Sequence, residues 1–207
     1  MKKILILAPH ADDGEFGCGA SIKRFSEEGA EIFYAAFSPC QISMPKGSKE
    51  LQLYDELERA VSHLGIKKEN IYKFDFQVRV FTEYRQQILD KLIDLRKEIN
   101  PDLVLLPNSD DIHQDHQVIH TEGRRAFKNV SMLGYELPWN NRHFLSNYYI
   151  KITDSHLNAK ANAIAEYKSQ TFRPYMDIDF FKGLARVRGI QANADYAEAF
   201  ELIKWVH

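Results

Sequence analysis

Two short segments of the sequence concentrate residue types that bind metal ions and transfer protons. The first contains His10, Asp12 and Asp13, and the second contains His113 and His116. Zinc at catalytic sites usually takes three His, Asp or Glu ligands and keeps a fourth position for water. We therefore predict that His10, Asp13 and His116 hold a metal ion. Bound zinc can lower the pKa of its water to about 7, so the expected chemistry is hydrolysis.

Residues beside these predicted ligands suit the remaining steps of a hydrolysis. Asp12 is adjacent to Asp13 but should project differently, which suits a general base that contacts the water. His113 precedes His116 by three residues, so both lie on roughly one face at a helix start. A protonated His113 could donate to an oxyanion or to a leaving amine, and Asp115 could orient a histidine. Together these residues fit amide hydrolysis.

Single residues of these segments also have structural interpretations. A lone aspartate after a strand is often a helix N-cap, and a lone histidine is often a packed polar residue. His120, four residues after His116, is either an alternative ligand or a residue of the helix face. Cys18 lies between two glycines, which is more typical of close helix packing than of redox chemistry. The pairing of two ligand-rich segments favours a functional site.

Alternating strand and helix patterns predict the elements that position these segments. Short β-rich runs alternate with longer segments that have apolar residues at helical spacing, which predicts a parallel sheet with helices on its faces. Ligands of such sheets bind beyond the carboxyl ends of the strands, and both segments follow predicted strands. The fold class is α/β, a Rossmann-like three-layer sandwich with a mostly parallel sheet. The predicted strands are 4–8, 31–38, 70–74, 102–106, 133–137 and 148–152, and the predicted helices are 21–28, 49–64, 82–99, 114–128 and 160–167.

Length and composition exclude several classes of protein. The 207 residues fit one domain spanning 1–207, without a linker or internal repeat. The net charge of −2 argues against a nucleic-acid partner, because polyanion binding needs a basic excess. The N-terminal apolar run is short and meets acidic residues at once, so we interpret it as a buried strand instead of a signal peptide. With no stretch able to span a bilayer and only two cysteines, we expect a soluble, cytoplasmic protein.

At the two segments the sequence resembles the PIG-L or LmbE-like family of zinc-dependent N-deacetylases. That family pairs His-Pro-Asp-Asp-Glu after the first strand with a later His-x-Asp-His. Here the segments read HADDGE from position 10 and HQDH from position 113. Segments of the C-terminal part extend the resemblance over essentially the whole chain, at 167–170, 188–189 and 197–200.

The resemblance implies a role for each residue of the two segments. The roles are metal ligation by His10, Asp13 and His116, general-base catalysis by Asp12, oxyanion stabilisation and acid catalysis by His113, and orientation of His113 by Asp115. Two departures from the family pattern are Ala11, where proline is usual, and Gly14, which separates Asp13 from Glu15. Loss of the proline removes a backbone restraint. Glu15 could hold backbone amides or His10.

The implied function is hydrolysis of the N-acetyl group of an amino sugar, either free or linked to a carrier. Zn²⁺ is the expected ion, and Fe²⁺ also fits because imidazole and carboxylate suit both. Arg79 could bind a sugar hydroxyl or phosphate or form a surface ion pair, and Trp139 could stack on a sugar or pack. The alternative is a metal-containing carbohydrate-binding protein without catalysis. A nucleotide-binding protein lacks support, because no glycine-rich phosphate loop follows a strand. The sequence is compatible with a homo-oligomer and does not determine the oligomeric state.

Overall fold

The computed structural model describes residues 2–45, 47–49 and 51–206, which form a seven-stranded sheet covered by six helices. The strands are β1 (Lys3–His10), β2 (Glu31–Ser38), β3 (Ile71–Lys73), β4 (Leu103–Pro107), β5 (Ser131–Tyr135), β6 (Tyr148–Ile152) and β7 (Tyr196–Lys204). The helices are α1 (Asp13–Glu27), α2 (Gln52–His63), α3 (Arg85–Ile99), α4 (Gln114–Ala126), α5 (Asp154–Ala165) and α6 (Ile178–Gln191).

The strand order is β3-β2-β1-β4-β5-β7-β6, which places β1 inside the sheet between β2 and β4. The first five strands pair in parallel, whereas β7 runs antiparallel to both β5 and β6. Because the chain leaves β1 for β2 on one side and β4 lies on the other, the loops after β1 and β4 meet at a switch point. The predicted α/β class with a mostly parallel sheet is confirmed.

Alternating side chains of β1 supply two hydrophobic cores, one on each face of the sheet. Ile4 and Ile6 pack into the core that also contains residues of α1, α2, α5 and α6. Leu5 and Leu7 pack into the opposite core, with residues of α3 and α4. Burial of both faces explains why β1 is a continuous apolar run instead of an alternating one. Among the helices of the described ranges, none is long and apolar enough to cross a membrane.

The first helix, the last helix and the last strand differ from the sequence prediction. Helix α1 begins at Asp13, directly after β1, although the apolar spacing predicted a start at Ser21. Glycines in its first two turns have low helix propensity and hide this start. Helix α6 and strand β7 were not predicted at all. The predicted helix 49–64 is found as α2, and Glu50 lies outside the described residues.

We expect Gly14→Ala to destabilise the protein by about 1–3 kcal/mol, the usual cost of overpacking a core. A Cβ atom at Gly14 would lie 2.6 Å from the Tyr34 ring, which is closer than carbon atoms can approach. Gly183→Ala is the matched control, because Gly183 lies inside α6 with no atom within 4 Å of an added Cβ. Denaturant unfolding should show a loss of stability only for Gly14→Ala. Equal effects of the two substitutions would contradict the close approach of Tyr34.

Candidate metal and catalytic site

The two ligand-rich segments meet at the carboxyl-terminal edge of the sheet. His10 is the last residue of β1, and Asp13 is the first residue of α1. His113 is the N-cap of α4, and His116 lies in the first turn of that helix. Because β1 and β4 are neighbours in the sheet, the loops that follow them bring these four side chains together.

Three ligand-type atoms form a nearly equilateral triangle at this edge. His10 Nδ1 lies 3.1 Å from Asp13 Oδ2 and 3.1 Å from His116 Nε2. The third side, from His116 Nε2 to Asp13 Oδ2, measures 3.2 Å. Atoms about 2.0–2.1 Å from a tetrahedral centre lie about 3.3–3.4 Å apart. The triangle therefore has nearly the size of one face of a tetrahedral zinc site, with a fourth position left for water.

Two buried carboxylates select the ring nitrogens that enter this triangle. His10 Nε2 is 3.1 Å from Asp115 Oδ2, and His116 Nδ1 is 2.7 Å from Asp111 Oδ2. Each neutral ring can therefore donate its proton outward and direct its second nitrogen, with a lone pair, into the triangle. Two lone pairs and the carboxylate of Asp13 then face one another. A cation between them removes this repulsion, so the donor set fits a metal ion.

The negative charges of the carboxylates beside the histidines also favour a cation at the triangle. Burial alone would lower the pKa of His116, but Asp13 and Asp111 outweigh it and raise this pKa to about 10. Burial also opposes the rise at His10, whose pKa is raised by Asp13 and by Asp115. At Asp13, burial is outweighed by the two histidines, which lower the pKa of the carboxyl. Protons and metal ions compete for these groups, so the same charges attract either one.

Asp115 contacts a different histidine from the one we expected. Its carboxylate was expected to orient His113, but it lies against His10 Nε2 and accepts the backbone N–H groups of Arg79 (2.6 Å) and Phe81 (3.2 Å). Only the backbone N–H of Asp115 reaches His113, where it donates to Nδ1 at 3.2 Å. Because α4 begins at Gln114, its first-turn geometry turns the Asp115 side chain away from the capping residue. Asp115 therefore orients His10.

Asp111 is a contact residue to which the sequence analysis gave no role. Its Oδ2 accepts from His116 Nδ1, and its Oδ1 accepts the backbone N–H of His113 at 2.9 Å. The residue is 1% exposed. The only sequence signal was its position in the acidic loop before His113. A single carboxylate therefore orients one predicted ligand and also shapes the start of α4.

Asp12 is the N-cap residue of α1, and its carboxylate makes no capping hydrogen bond. Although its residue is only 8% exposed, it lines the same cavity as the triangle and has no hydrogen bond or ion pair with another described side chain. Burial and the charge of Asp13 raise the pKa of Asp12 to about 6. An unpaired carboxylate with this pKa can accept a proton near neutral pH.

His113 uses one ring nitrogen in a hydrogen bond, and its other ring nitrogen makes none with the described residues. Its Nδ1 accepts from the backbone of Asp115, so a neutral ring carries its proton on Nε2. Burial, followed by the charges of His116 and His10, lowers the pKa of His113 to about 4. A ring nitrogen of His113 also lies within 4.8 Å of ligand atoms of the other two histidines, so a three-histidine set is available. The oxygen of Asp13 is closer to both, which favours the triangle.

The triangle opens into a cavity of about 200 Å³. The cavity is smaller than the roughly 300–1,000 Å³ of sites that bind drug-sized ligands, so its volume favours the binding of one small polar group. Arg79 lines the cavity and has a positive φ of 74°. Trp139 also lines it, but its ring stacks on Tyr175 at 4.2 Å between centroids, which favours the packing interpretation. Gln170 and Arg173 also belong to the polar lining, and no role in the site was predicted for either residue from the sequence.

Glu15 stabilises the loop between β1 and α1 through two tyrosine hydroxyls. Its carboxylate accepts from the hydroxyls of Tyr34 (2.5 Å) and Tyr167 (2.6 Å), and both hydroxyls also lie within 3.0 Å of the Ala11 carbonyl oxygen. Burial raises the pKa of Glu15 to about 8, although the two tyrosines oppose the rise. Glu15 therefore holds the loop through tyrosines and does not contact His10.

His120 and Cys18 lie outside the triangle. His120 Nδ1 is 2.7 Å from the carbonyl oxygen of Pro107, to which a ring N–H can donate. This contact ties α4 to the end of β4 and favours the helix-face interpretation over that of a ligand. Cys18 is buried, and its thiol donates to the carbonyl of Gly14 at 3.3 Å, as expected for close packing within α1.

We expect Asp111→Asn to weaken zinc binding by about 10–100-fold, the usual effect of losing a carboxylate that orients a metal-binding histidine. Asp110→Asn is the matched control, because Asp110 is the exposed neighbour and its side chain makes no hydrogen bond or ion pair with the described residues. Competition with a zinc-sensitive dye measures both dissociation constants. Equal dissociation constants would mean that the contact between Asp111 and His116 does not affect the metal.

Comparisons with known proteins find similarity over most of the chain. The PIG-L family, described as GlcNAc-PI de-N-acetylase, matches residues 5–127. Diacetylchitobiose deacetylase of Thermococcus kodakarensis is 24% identical, with 98% of this chain and 84% of that protein covered. The structure of N,N'-diacetylchitobiose deacetylase from Pyrococcus horikoshii has a TM-score of 0.76 at 22% identity, covering 97% of this chain and 83% of that one. GalB of Pseudomonas putida KT2440, a 4-carboxy-2-hydroxymuconate hydratase, has a TM-score of 0.79 at 18% identity, covering 100% and 98%.

Proposed function

The chain belongs to the PIG-L family, and on that premise we propose that it is a metal-dependent N-deacetylase acting on an N-acetylated amino sugar. One observation carries the proposal. The ligand triangle of His10, Asp13 and His116 lies in the same small cavity as the unpaired carboxylate of Asp12. A fold alone does not decide the reaction, because a hydratase has a similar fold. The residues of the site therefore carry the argument.

The three residues of the triangle would hold the metal ion, for which we propose Zn²⁺ with Fe²⁺ as the alternative. When bound, the metal lowers the pKa of a coordinated water and polarises the oxygen of the acyl group. The buried carboxylates of Asp111 and Asp115 keep His116 and His10 in the tautomers that this binding requires. Both are positioning residues, since neither reaches the triangle itself.

Asp12 would act as the general base. It takes a proton from the attacking water as the water oxygen adds to the amide carbon. His113 would donate a hydrogen bond from Nε2 to the oxyanion that forms, because its Nδ1 already accepts from the backbone. A neutral His113 has no second proton to give. The proton held by Asp12 would therefore pass to the nitrogen as the carbon–nitrogen bond breaks, which releases acetate and a free amine.

Mass spectrometry of a panel of N-acetylated amino sugars tests this function. We expect loss of one acetyl group from at least one sugar, with acetate released in equal amount, and loss of this activity after chelation. A metal-containing protein that binds carbohydrate without catalysis would instead bind sugars and leave them intact. Binding without acetate release across the panel would overturn the proposed reaction.

A further inference from the structure

Away from the ligand triangle, the cavity is positively charged. The carboxylates among its described lining residues are Asp12 and Asp13, which both belong to the catalytic end. The remaining charged lining side chains, apart from the histidines of the site, are Arg79 and Arg173. Other lining residues, such as Trp139 and Gln170, are neutral. A substrate that reaches from the metal toward these arginines therefore meets two cations.

Arg173 lies on a loop that is anchored by hydrogen bonds. Its Nε donates to Gln170 Oε1 at 2.8 Å, and its backbone N–H donates to the Gln170 carbonyl at 2.9 Å. Gln170 is only 2% exposed. The preceding residue, Ser169, donates through its backbone N–H (3.0 Å) and hydroxyl (2.6 Å) to the buried carboxylate of Glu56. The position of the guanidinium is therefore fixed before any ligand binds.

No carboxylate among the described residues pairs with Arg173. Its guanidinium lies 5.2 Å from the Phe172 ring centroid and 5.8 Å from that of Tyr175. By contrast, the partly buried Arg188 makes two hydrogen bonds to Glu136, of 2.5 and 3.1 Å. A guanidinium carries five N–H donors in a fork that matches a carboxylate or a phosphate. Arg173 keeps part of this fork available to the cavity.

Arg79 is presented to the cavity by a constrained backbone. Its φ of 74° is unusual for a residue with a side chain. Its N–H donates to Asp115, and its carbonyl accepts from Gln114 Nε2 at 3.3 Å, which holds the backbone in this conformation. Its side chain has neither an ion pair nor a hydrogen bond with any part of the chain that the structure describes. Neither arginine therefore makes an ion pair with the described residues, although the charge of Arg173 opposes the rise that burial causes in the pKa of Asp12 and acts on the hydroxyl of Tyr175.

We propose that this cavity selects N-acylated amino sugars that carry an anionic group, either a carboxylate or a phosphate, which Arg173 binds and Arg79 contacts as a second cation. The inference rests on the proposed deacetylase function and names the substrate class of that site. A carboxylate is planar and a phosphate is tetrahedral, but each presents pairs of oxygen atoms that a guanidinium can bind with two N–H groups. The aromatic stack of Tyr175 on Trp139 limits the space beside Arg173, so the anion approaches through the cavity.

The test compares kcat/KM for N-acetylglucosamine with that for two anionic derivatives, N-acetylglucosamine 6-phosphate and N-acetylmuramic acid. We expect an anionic sugar to be preferred, and Arg173→Met to lower the ratio of anionic to neutral kcat/KM by about 10–100-fold. Arg173→Lys should restore part of the ratio, because the charge returns without the fork. Arg124→Met is the control, since Arg124 is exposed at the end of α4 and does not line the cavity. The two anionic sugars distinguish phosphate from carboxylate.

Binding of glucosamine 6-phosphate to the zinc-loaded protein, measured by calorimetry, gives a readout without turnover. Weaker binding to Arg173→Met than to Arg124→Met supports the anion site even if no sugar is deacetylated, in which case the proposed function alone fails. Turnover of neutral and anionic sugars with equal kcat/KM, unchanged in Arg173→Met, overturns the anion site and leaves the function standing. Absence of both turnover and Arg173-dependent binding overturns both proposals.

Discussion

Asp12→Asn should lower kcat by about 10²–10⁴-fold and leave the metal bound, the range expected when a general base is removed. The Asp12 carboxylate lines the cavity beside the ligand triangle and has no hydrogen bond to another described side chain. Asparagine keeps the size of the side chain but cannot accept a proton from water. Because no atom of the triangle belongs to Asp12, the affinity for zinc should change little.

Steady-state kinetics and metal analysis of the same samples test this result. We expect a fall in kcat with little change in KM, which identifies an interaction made in the transition state. Asp110→Asn removes an exposed carboxylate of the neighbouring loop and should keep the activity of the unaltered protein. If Asp12→Asn kept activity within a few-fold, or lost its zinc, Asp12 would not be the base.

His116→Ala should abolish stable zinc binding and, with it, activity. The substitution removes one corner of the triangle, which leaves His10 and Asp13 as a pair of ligands. It also leaves Asp111 buried without its histidine partner, which costs stability. Catalytic zinc sites normally need three protein ligands. The loss of metal should therefore be far larger than the 10–100-fold effect expected for Asp111→Asn.

His120→Ala is the matched control for this loss. His120 lies one helical turn farther along α4 and contacts the Pro107 carbonyl instead of the triangle. Zinc content by elemental analysis should be near zero in His116→Ala and unchanged in His120→Ala, with circular dichroism verifying that both fold. Full zinc content in a folded His116→Ala protein would exclude the proposed ligand set. His113 would then be the first residue to test in its place.

The proximity of the two segments could be predicted from the sequence because it depends on topology. Buried parallel strands are continuous apolar runs, and their carboxyl ends meet at one edge of the sheet. His10 follows such a run and His116 follows another, and the structure places their ring nitrogens 3.1 Å apart. The resemblance to a family implied the same residues.

The contacts behind the ligands could not be predicted, because they depend on where each side chain points. Asp115, in the first turn of α4, contacts His10 and not His113, whereas Asp111, in the loop before that helix, contacts His116. The start of α1 was hidden by glycines that the close approach of Tyr34 and Tyr135 requires. Strand β7 was not predicted because Glu198 interrupts its apolar pattern. The buried carboxylate of Glu198 accepts a hydrogen bond from the backbone N–H of Ser21 and forms an ion pair with Lys160.

Titration of the metal-free protein with Zn²⁺, while acetate release is recorded, tests whether His10, Asp13 and His116 form a metal-dependent active site. We expect no acetate release before zinc is added, and a linear rise that ends at about one equivalent per chain, as one three-ligand site requires. The His116→Ala protein should show no such rise. Acetate release at the full rate from protein without metal, or a rise unaffected by His116→Ala, would contradict the claim that these residues form a metal-dependent deacetylase site.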